Sequence, residues 1–453
     1  TQHIFIKIFG ENNFALRLPS ALLGIASVYL IFLLGSLLFS ANSGLISAGL
    51  LSVTLNQIYI SRAGMQESFV IFFLLLCSFL FLKKKWLWLG VALGIAFLTK
   101  YNTFILIPIF ATYLLLYDRT EFKNKKLYLA FVLALIIFSP VIIYNFMLYR
   151  SVGHFDFQFS YIFGQNPDVW RVAPGKDIGT LADRIKDFVP RLIATHSWIF
   201  LTLFAVSLVF LRNKFLFLVF GFLFLLLLKI GPSYRFITMF TPFMALSIGA
   251  LAKWINDLKK YTAFSFLISI FSFEIFYSVN NQITYYPVGP SPWLSSKVRY
   301  ENYNWGNNQL IKFFENEFKR KIPALTFDTK YKFLEDVQQK FIEKDKKKGY
   351  HPYPALVVTH GNFDRGAKLW GLDRLHIYHG WPVITLETYF AYLQENGFDY
   401  YDRVGFKNFY FVTSSNIVPA PEFTTLIKNI EPIIIKNPRG DEAFKIYKIT
   451  EAS

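Results

Sequence analysis

Cysteine and charged residues are scarce in this sequence. Of its 453 residues, one is cysteine and 17% are charged, whereas 54% are hydrophobic and 19% are aromatic. The single cysteine, Cys77, excludes a disulfide within the chain. A soluble domain of ordinary composition carries more charge and less apolar surface. The composition therefore indicates a membrane protein.

The sequence also lacks an initiator methionine and a positively charged leader before an apolar segment. It begins at Thr1, and its first apolar run starts near residue 16. A cleavable signal peptide is therefore not indicated. We expect the chain to be an N-terminally truncated form of a longer protein.

Long apolar runs follow one another up to about residue 280. A bilayer core needs about 20 apolar residues per helix. Runs bounded by charged or turn residues predict about ten transmembrane helices, near 16–39, 44–60, 66–82, 86–99, 102–117, 127–146, 193–212, 215–230, 236–254 and 262–279. The short runs 86–99 and 102–117 could instead form a re-entrant pair, because about 14 residues rise only about 21 Å.

Basic residues gather in short clusters between the apolar runs. The net charge is +17, and clusters at 83–85, 119–126, 212–214 and 253–260 fall on one side once the spans alternate. The positive-inside rule makes that side cytoplasmic and argues against nucleic acid as a partner. The N-terminus, loop 147–192 and everything after residue 280 then lie outside. An outer N-terminus requires a preceding helix, which we expect to be missing.

Loop 147–192 contains an amphipathic segment. Apolar residues recur at roughly helical spacing between 177 and 192, against charged residues at 183–187. The pattern predicts an interfacial helix that lies on the membrane. An ordinary loop helix without lipid contact is the alternative.

The composition changes after residue 285. Helical patterns near 307–319, 330–346 and 385–396 alternate with β-rich runs at 354–359, 407–413 and 442–449. This alternation predicts an α/β domain. The fold class is thus a polytopic α-helical membrane protein, with a transmembrane domain over 1–285 and a soluble extracytoplasmic α/β domain over 286–453.

Ionisable residues at the outer ends of the predicted helices are the first functional candidates. Charge at membrane depth is costly, so it usually has a function. The candidates are Arg17, Arg62, Glu67, Lys100, Tyr234 and Arg235. Cations of this kind suit phosphate esters, and arginine binds them bidentately. The alternatives are helix capping for Glu67, and interfacial anchoring for the cations.

Other polar residues give weaker signals. His154, Trp170 and Arg171 in the long loop could contact a sugar or an acceptor, or could be ordinary loop residues. The histidines of the C-terminal domain match no closed zinc pattern, so no metal site is predicted. Gly361, Gly366 and Gly371 lack the spacing of a dinucleotide-binding loop.

An ordered set of motifs resembles one known superfamily. The motifs are Phe9 and Gly10, then Asn12 to Leu22 with Arg17 and Pro19, then Ser61, Arg62, Ala63 and Glu67, then Phe97 to Lys100, then Pro232 to Arg235 with Pro242. Over residues 1 to about 260 they resemble the protein O-mannosyltransferase and aminoarabinose transferase superfamily. These proteins are dolichyl-phosphate-mannose-protein mannosyltransferase-like glycosyltransferases of the GT-C fold.

The resemblance implies inverting transfer of one sugar from a polyprenyl phosphate to an acceptor outside the plasma (inner) membrane. It places Glu67 at the family's second acidic site, Lys100 in its Thr-Lys turn, and Tyr234 and Arg235 near the donor phosphate. The family's primary catalytic acid precedes Phe9 and is expected in the missing segment. A general base would deprotonate the acceptor hydroxyl while cations stabilise the leaving phosphate.

Three functions remain open from the sequence. The main hypothesis is a glycosyltransferase whose partners are the bilayer, a polyprenyl-phosphate sugar and a glycan, lipid or protein acceptor, with no certain cofactor and a divalent metal left open. A transporter or flippase for a lipid-linked saccharide is the second, although no internal repeat is visible. The third is a membrane scaffold that presents the C-terminal domain.

Overall fold

The computed structural model of the chain describes residues 2–10, 12–165, 179–251, 260–284, 287–296, 306–327, 332–360, 371–415 and 421–450. These residues form two compact units, Thr1–Asn302 and Tyr303–Ser453. The first unit is helical and the second contains the sheets. The domain boundary inferred from the sequence, at 285/286, stays a prediction.

The first unit consists of helices separated by short breaks. They are α1 (Gln2–Phe9), α2 (Asn13–Leu38), α3 (Ala41–Val53), α4 (Leu55–Ala63), α5 (Glu67–Leu82), α6 (Trp86–Thr99), α7 (Leu106–Tyr117), α8 (Lys125–Val152), α9 (Phe157–Ile162), α10 (Leu181–Thr195), α11 (Trp198–Phe210), α12 (Lys214–Ile230), α13 (Tyr234–Ile237), α14 (Thr241–Gly249) and α15 (Lys260–Gln282). Two 3₁₀ turns, Tyr101–Ile105 and Arg119–Lys123, precede α7 and α8. Each apolar run of the sequence contains a helix.

Three helices of the described residues are long and apolar enough to cross a membrane: α2, α8 and Tyr261–Gln282 within α15. Helices α3 and α4 meet at a bend of 58° and together qualify as a broken span. Shorter apolar helices, such as α5 and α6, pack between them. The predicted helix-rich fold class is confirmed, and these lengths and compositions are those of a membrane protein.

Glycines allow α6 to approach α8 closely. A Cβ on Gly90 would lie 2.4 Å from the carbonyl oxygen of Ala130, and one on Gly94 would lie 2.6 Å from Cβ of Ile137. Small residues four apart permit this kind of backbone contact between apolar helices. The contact fixes the position of α6, whose last turn leads into Lys100.

The amphipathic loop helix begins later than its sequence pattern indicated. Helix α10 starts at Leu181 because Thr180 caps it, with a reciprocal contact to Asp183. The predicted residues 177 and 178 lie outside the described residues. On one side of α10, Phe188 packs on Phe224 and Phe240. Its contact with lipid stays a prediction.

The second unit is a mixed sheet covered by helices. Its helices are α16 (Asn307–Glu317), α17 (Lys332–Lys346), α18 (Asp373–His379), α19 (Leu386–Asn396), α20 (Tyr400–Val404) and α21 (Pro421–Ile427). Its strands are β1 (Lys321–Pro323), β2 (His351–Tyr353), β3 (Ala355–Thr359), β4 (Val383–Thr385), β5 (Asn408–Ser414), β6 (Ile433–Lys436) and β7 (Glu442–Thr450). The predicted α/β pattern is confirmed, and the three-residue strands were not predicted.

The main sheet has the strand order β4-β3-β5-β7-β6. Strands β4, β3 and β5 run parallel, whereas β7 pairs antiparallel with both β5 and β6. All five residues of β3 are buried, as expected for a parallel strand covered on both faces. Helix α16 covers one face, and α19 and α21 cover the other.

A carboxylate of the second unit anchors a polar network at the end of α16. One oxygen of Glu317 accepts hydrogen bonds from Nζ of Lys448 at 2.6 Å and from the hydroxyl of Tyr410 at 2.7 Å. Lys321 lies 3.8 Å away. Burial raises the pKa of Glu317, but these hydrogen bonds and the charges of Lys448 and Lys321 outweigh it and hold the pKa below its ordinary value.

We expect the second unit to lose stability in acid through Glu317. Because the pKa of Glu317 is lower in the folded state, the ionised carboxylate stabilises the fold at pH values above the ordinary glutamate pKa, about 4.3. This stabilisation disappears as the pH falls through the folded-state pKa. Hydrogen exchange of the β7 amides in the intact chain, corrected for intrinsic rates, should therefore accelerate between about pH 5 and 3. Glu317→Gln should remove most of this pH dependence, whereas Glu335→Gln at an exposed position should not. An identical pH profile in both variants would contradict the assignment.

Candidate functional site

Glu67 opens α5 at a sharp corner of the first unit. Helix α4 ends at Gly64, whose φ of 73° is the left-handed conformation that glycine adopts without strain. The hydroxyl of Ser20 on α2 donates to the carbonyl oxygen of Met65 at 3.1 Å and holds the turn. Glu67 is therefore the first helical residue after a fixed turn, and only 2% of its side chain is exposed.

Lys100 lies where α6 gives way to the 3₁₀ turn before α7. Its backbone is extended (φ −165°, ψ 136°), which ends α6. The hydroxyl of Thr103 donates to the carbonyl oxygen of Lys100 at 2.7 Å and fixes the break. The Lys100 side chain is 9% exposed, so it points into the protein.

Arg235 lies in the short helix α13, after Gly231 and Pro232. Ser233 caps this helix by accepting a hydrogen bond from the backbone N–H of Phe236. The guanidinium of Arg235 reaches the buried carboxylate of Glu67, while 48% of the Arg235 side chain remains exposed. Arg235 therefore combines a buried contact with an accessible surface.

These three residues converge on one carboxylate oxygen. Oε1 of Glu67 accepts hydrogen bonds from Nζ of Lys100 at 2.7 Å, from Nη2 of Arg235 at 2.8 Å and from Nε of Arg235 at 3.2 Å. The ring of Phe236 lies under both cations, 4.8 Å from Nζ of Lys100 and 5.8 Å from Cζ of Arg235. The cluster has one net positive charge, and its cations form the donor geometry that an anion requires.

The other predicted phosphate ligands make contacts elsewhere. Arg62 donates from Nη1 to the carbonyl oxygen of Gln282 at 2.7 Å. Arg17 packs beside the Gly64 turn. Tyr234 packs on Tyr59 and Ile60. These contacts support the corner around Glu67, and roles for Arg17, Arg62 and Tyr234 in phosphate binding stay predictions.

The long loop is attached to the Lys100 turn through a carboxylate. Oδ2 of Asp156 accepts hydrogen bonds from the hydroxyl of Tyr101 at 2.9 Å and from the amide of Asn145 at 3.0 Å. Its other oxygen caps α9. Nearby, Nδ1 of His154 lies 2.6 Å from the carbonyl oxygen of Phe155. Trp170 and Arg171 lie outside the described residues.

Sequence reasoning missed two residues of this region. The ring of Phe236 beneath the cations was not a candidate, although it directly follows Arg235. The guanidinium of Arg191 lies 4.7 Å from the ring centre of Tyr234. Arg191 lies seven residues after Arg184 and therefore on the same face of α10, and this spacing could have identified it as a candidate.

Within the described residues, no three His, Cys, Asp or Glu side chains are grouped closely enough to hold a metal ion. The Glu67 cluster contains a single carboxylate with two cations, a donor set that favours an anion. Phosphate is the anion for which arginine and lysine together are best suited. The arrangement can therefore bind a phosphate group and stabilise charge that develops on it.

Known proteins share this fold and part of the sequence. The model of the dolichyl-phosphate-mannose-protein mannosyltransferase family matches residues 1–144. The chain is 32% identical over 132 residues to the putative mannosyltransferase YycA of Bacillus subtilis (strain 168), a match covering 27% of this chain and 19% of that protein. For YkcB of the same organism the identity is 29% over 143 residues, covering 30% of this chain and 20% of that protein. The chain thus spans about a fifth of the length of these relatives.

A solved structure resembles the chain over nearly its whole length. ArnT from Cupriavidus metallidurans, crystallised with undecaprenyl phosphate, matches with a TM-score of 0.54 and 13% identity, over 99% of this chain and 86% of that one. This likeness shows that the fold is of the GT-C type. Residues 1–144 match the model of the dolichyl-phosphate-mannose-protein mannosyltransferase family, which confirms the resemblance seen in the sequence.

Proposed function

We propose that this chain is a membrane glycosyltransferase that uses a polyprenyl-phosphate monosaccharide as its donor. It transfers the sugar, with inversion, to a glycan, lipid or protein acceptor of the cell envelope. The observation that carries the proposal is the convergence of Lys100 and Arg235 on Glu67. The similar proteins agree with it, since two are putative mannosyltransferases and ArnT was solved with undecaprenyl phosphate.

In this mechanism the two cations bind the phosphate of the donor. Arg235 is half-exposed and can turn one edge of its guanidinium toward the phosphate, while Glu67 keeps the other edge fixed. Lys100 lies on the same carboxylate oxygen and adds its charge. When the bond between the sugar and the phosphate breaks, negative charge grows on the phosphate, and both cations stabilise it more in the transition state than in the donor.

Glu67 acts here by positioning the cations. Its carboxylate oxygen is engaged by Lys100 and Arg235, so the proton acceptor for the incoming hydroxyl is a different group. Holding two like charges together requires a counter-charge, which Glu67 provides. The cations are thereby arranged before the donor arrives, and no reorganisation is needed at the moment of reaction.

The helix ends support an extracytoplasmic orientation of the site. Helices α5 and α6 form a hairpin with Lys83, Lys84 and Lys85 at one end and the Glu67 cluster at the other. Lys84 pairs with Asp118 and Glu121 after α7, which places that basic segment at the same end as the lysines. Basic ends are cytoplasmic, so we place the site on the extracytoplasmic side.

The C-terminal α/β domain is proposed to lie on the same side of the membrane. The carbonyl oxygen of Gln282, the last residue of α15, accepts a hydrogen bond from Arg62, five residues before Glu67. The chain therefore leaves the last helix at the end that carries the site. An extracytoplasmic domain is suited to select the acceptor.

Sugar transfer in membranes tests the proposal. Membranes that contain the protein would be incubated with undecaprenyl phosphates that carry labelled mannose, glucose or galactose. We expect label in a lipid, glycan or protein fraction, with the anomeric configuration of the product inverted relative to the donor by NMR. Membranes with a Lys100→Met variant are the control. Donor crossing to the other leaflet without transfer would identify a transporter, and absence of both activities in folded protein would favour a scaffold.

A further inference from the structure

Helix α4 and the start of α5 carry buried polar side chains that lack hydrogen-bond partners. Both amide atoms of Asn56, both amide atoms of Gln57, and the hydroxyls of Ser61 and Ser68 have no partner among the residues that the structure describes. Asn56, Gln57 and Ser68 are 0%, 3% and 0% exposed. We call these four residues the α4–α5 polar cluster.

The cluster lies along the same corner as Glu67, since α2 contacts Ser61 near Gly24 and Met65 through Ser20. Ser68 directly follows Glu67, and Oε2 of Glu67 is itself buried and unpartnered, although Oε1 holds both cations. Gln57 and Ser61 are four residues apart on α4 and therefore share one face. Both lie against Gly24 of α2, where a Cβ would be 2.3 Å from Oγ of Ser61 and 3.7 Å from Nε2 of Gln57.

Unpartnered polar groups at such depth are not explained by stability. A buried amide without a partner loses its bonds to water and gains none in exchange, so an apolar side chain of the same size would stabilise the fold. Buried polar atoms are otherwise satisfied almost everywhere in folded proteins. Elsewhere on α5, for example, the buried hydroxyl of Ser78 donates to the carbonyl oxygen of Leu74. Seven of the fourteen such atoms among the described residues belong to α4 and the first two residues of α5, and this concentration indicates a ligand.

We propose that the α4–α5 polar cluster binds the hydroxyl groups of the donor sugar. Amides and hydroxyls both donate and accept hydrogen bonds, as the hydroxyls of a sugar do. The free oxygen of Glu67 adds an acceptor next to the phosphate, one bond away from the sugar in the donor. This inference rests on the proposed function, because it places the sugar beside the phosphate held by Lys100 and Arg235.

Binding to protein in nanodiscs tests the cluster separately from the cations. The probes are undecaprenyl phosphate alone and undecaprenyl phosphates carrying mannose, glucose or galactose. We expect the unmodified protein to bind at least one sugar-bearing lipid about tenfold more tightly than the bare phosphate. Gln57→Met and Ser68→Ala should each reduce this ratio several-fold and leave the affinity for the bare phosphate unchanged.

Ser78→Ala on the same helix is the matched control and should keep the ratio. Because the test variants remove unpartnered polar atoms, they should melt at the same temperature as the unmodified protein or higher, so loss of folding cannot mimic loss of sugar binding. An unchanged ratio in both variants, or equal binding of all four lipids, would overturn the inference and leave the phosphate site standing. Failure to bind any of the lipids would overturn the proposed function as well.

Discussion

Replacing Lys100 by methionine is expected to reduce sugar transfer about 100-fold or more. Methionine has a similar length but no charge, so under the proposed function the leaving phosphate would lose one of its two cations. Removal of a single group that stabilises developing charge typically costs 100- to 1,000-fold in turnover. The measurement is the initial rate of label transfer from the donor chosen by the panel, over a range of donor concentrations. The loss should appear in kcat as well as in kcat/KM, since the interaction strengthens in the transition state.

Lys84→Met is the matched control for this variant. Lys84 also contacts two carboxylates, Asp118 at 2.7 Å and Glu121 at 2.8 Å, but its side chain is 51% exposed and lies at the opposite end of the α5–α6 hairpin. We expect transfer within about twofold of the unmodified protein, because exposed ion pairs contribute little. A loss confined to KM in Lys100→Met would mean that Lys100 only binds the donor. Full activity would remove it from the site.

Replacing Glu67 by glutamine is expected to lower both stability and transfer. The amide cannot neutralise Lys100, which is 9% exposed and would be left as a buried, uncompensated charge. Removing one partner of a buried ion pair costs about 3 kcal/mol or more. Cys77, on the same helix, is buried and free, so its reaction with a thiol-reactive dye on heating reports the unfolding of this unit.

Two further variants separate charge from shape at this position. Glu67→Asp keeps the counter-charge on a shorter side chain and should recover much of the melting temperature, although transfer stays low because the cations move. Glu67→Gln combined with Lys100→Met removes the uncompensated lysine and should melt higher than Glu67→Gln alone. A Glu67→Gln protein with unchanged melting and unchanged transfer would show that the carboxylate neither stabilises nor positions the cations.

The helices were predictable because their ends are marked in the sequence. The run near 66–82 became Glu67–Leu82, since Gly64 breaks the preceding helix and the lysines at 83–85 follow the last apolar residue. The strand expected at 442–449 is observed at Glu442–Thr450, because its alternating pattern of residues is typical of a strand. By contrast, β1 and β2 have three residues each, too few for a periodic signal, and exist because they pair with one another.

The arrangement of the site could be predicted only in part. Glu67, Lys100 and Arg235 were each identifiable as charge at a helix end, but their meeting at one oxygen joins residues 33 and 168 positions apart. Such contacts depend on packing, for example on the glycines that set α6 against α8. Arg62 lies close to Glu67 in sequence, yet its guanidinium binds Gln282, because the Gly64 turn separates the two side chains.

The hydrogen bonds among Tyr101, Asn145 and Asp156 matter for engineering. They join the beginning of loop 147–192 to the residue that follows Lys100. A chimaera that replaces residues 147–192 by those of a relative would remove Asp156 and leave the Tyr101 hydroxyl and the Asn145 amide without this acceptor. To preserve these hydrogen bonds, Tyr101 and Asn145 should be taken from the same parent as the loop, although they are distant from it or outside it in the sequence.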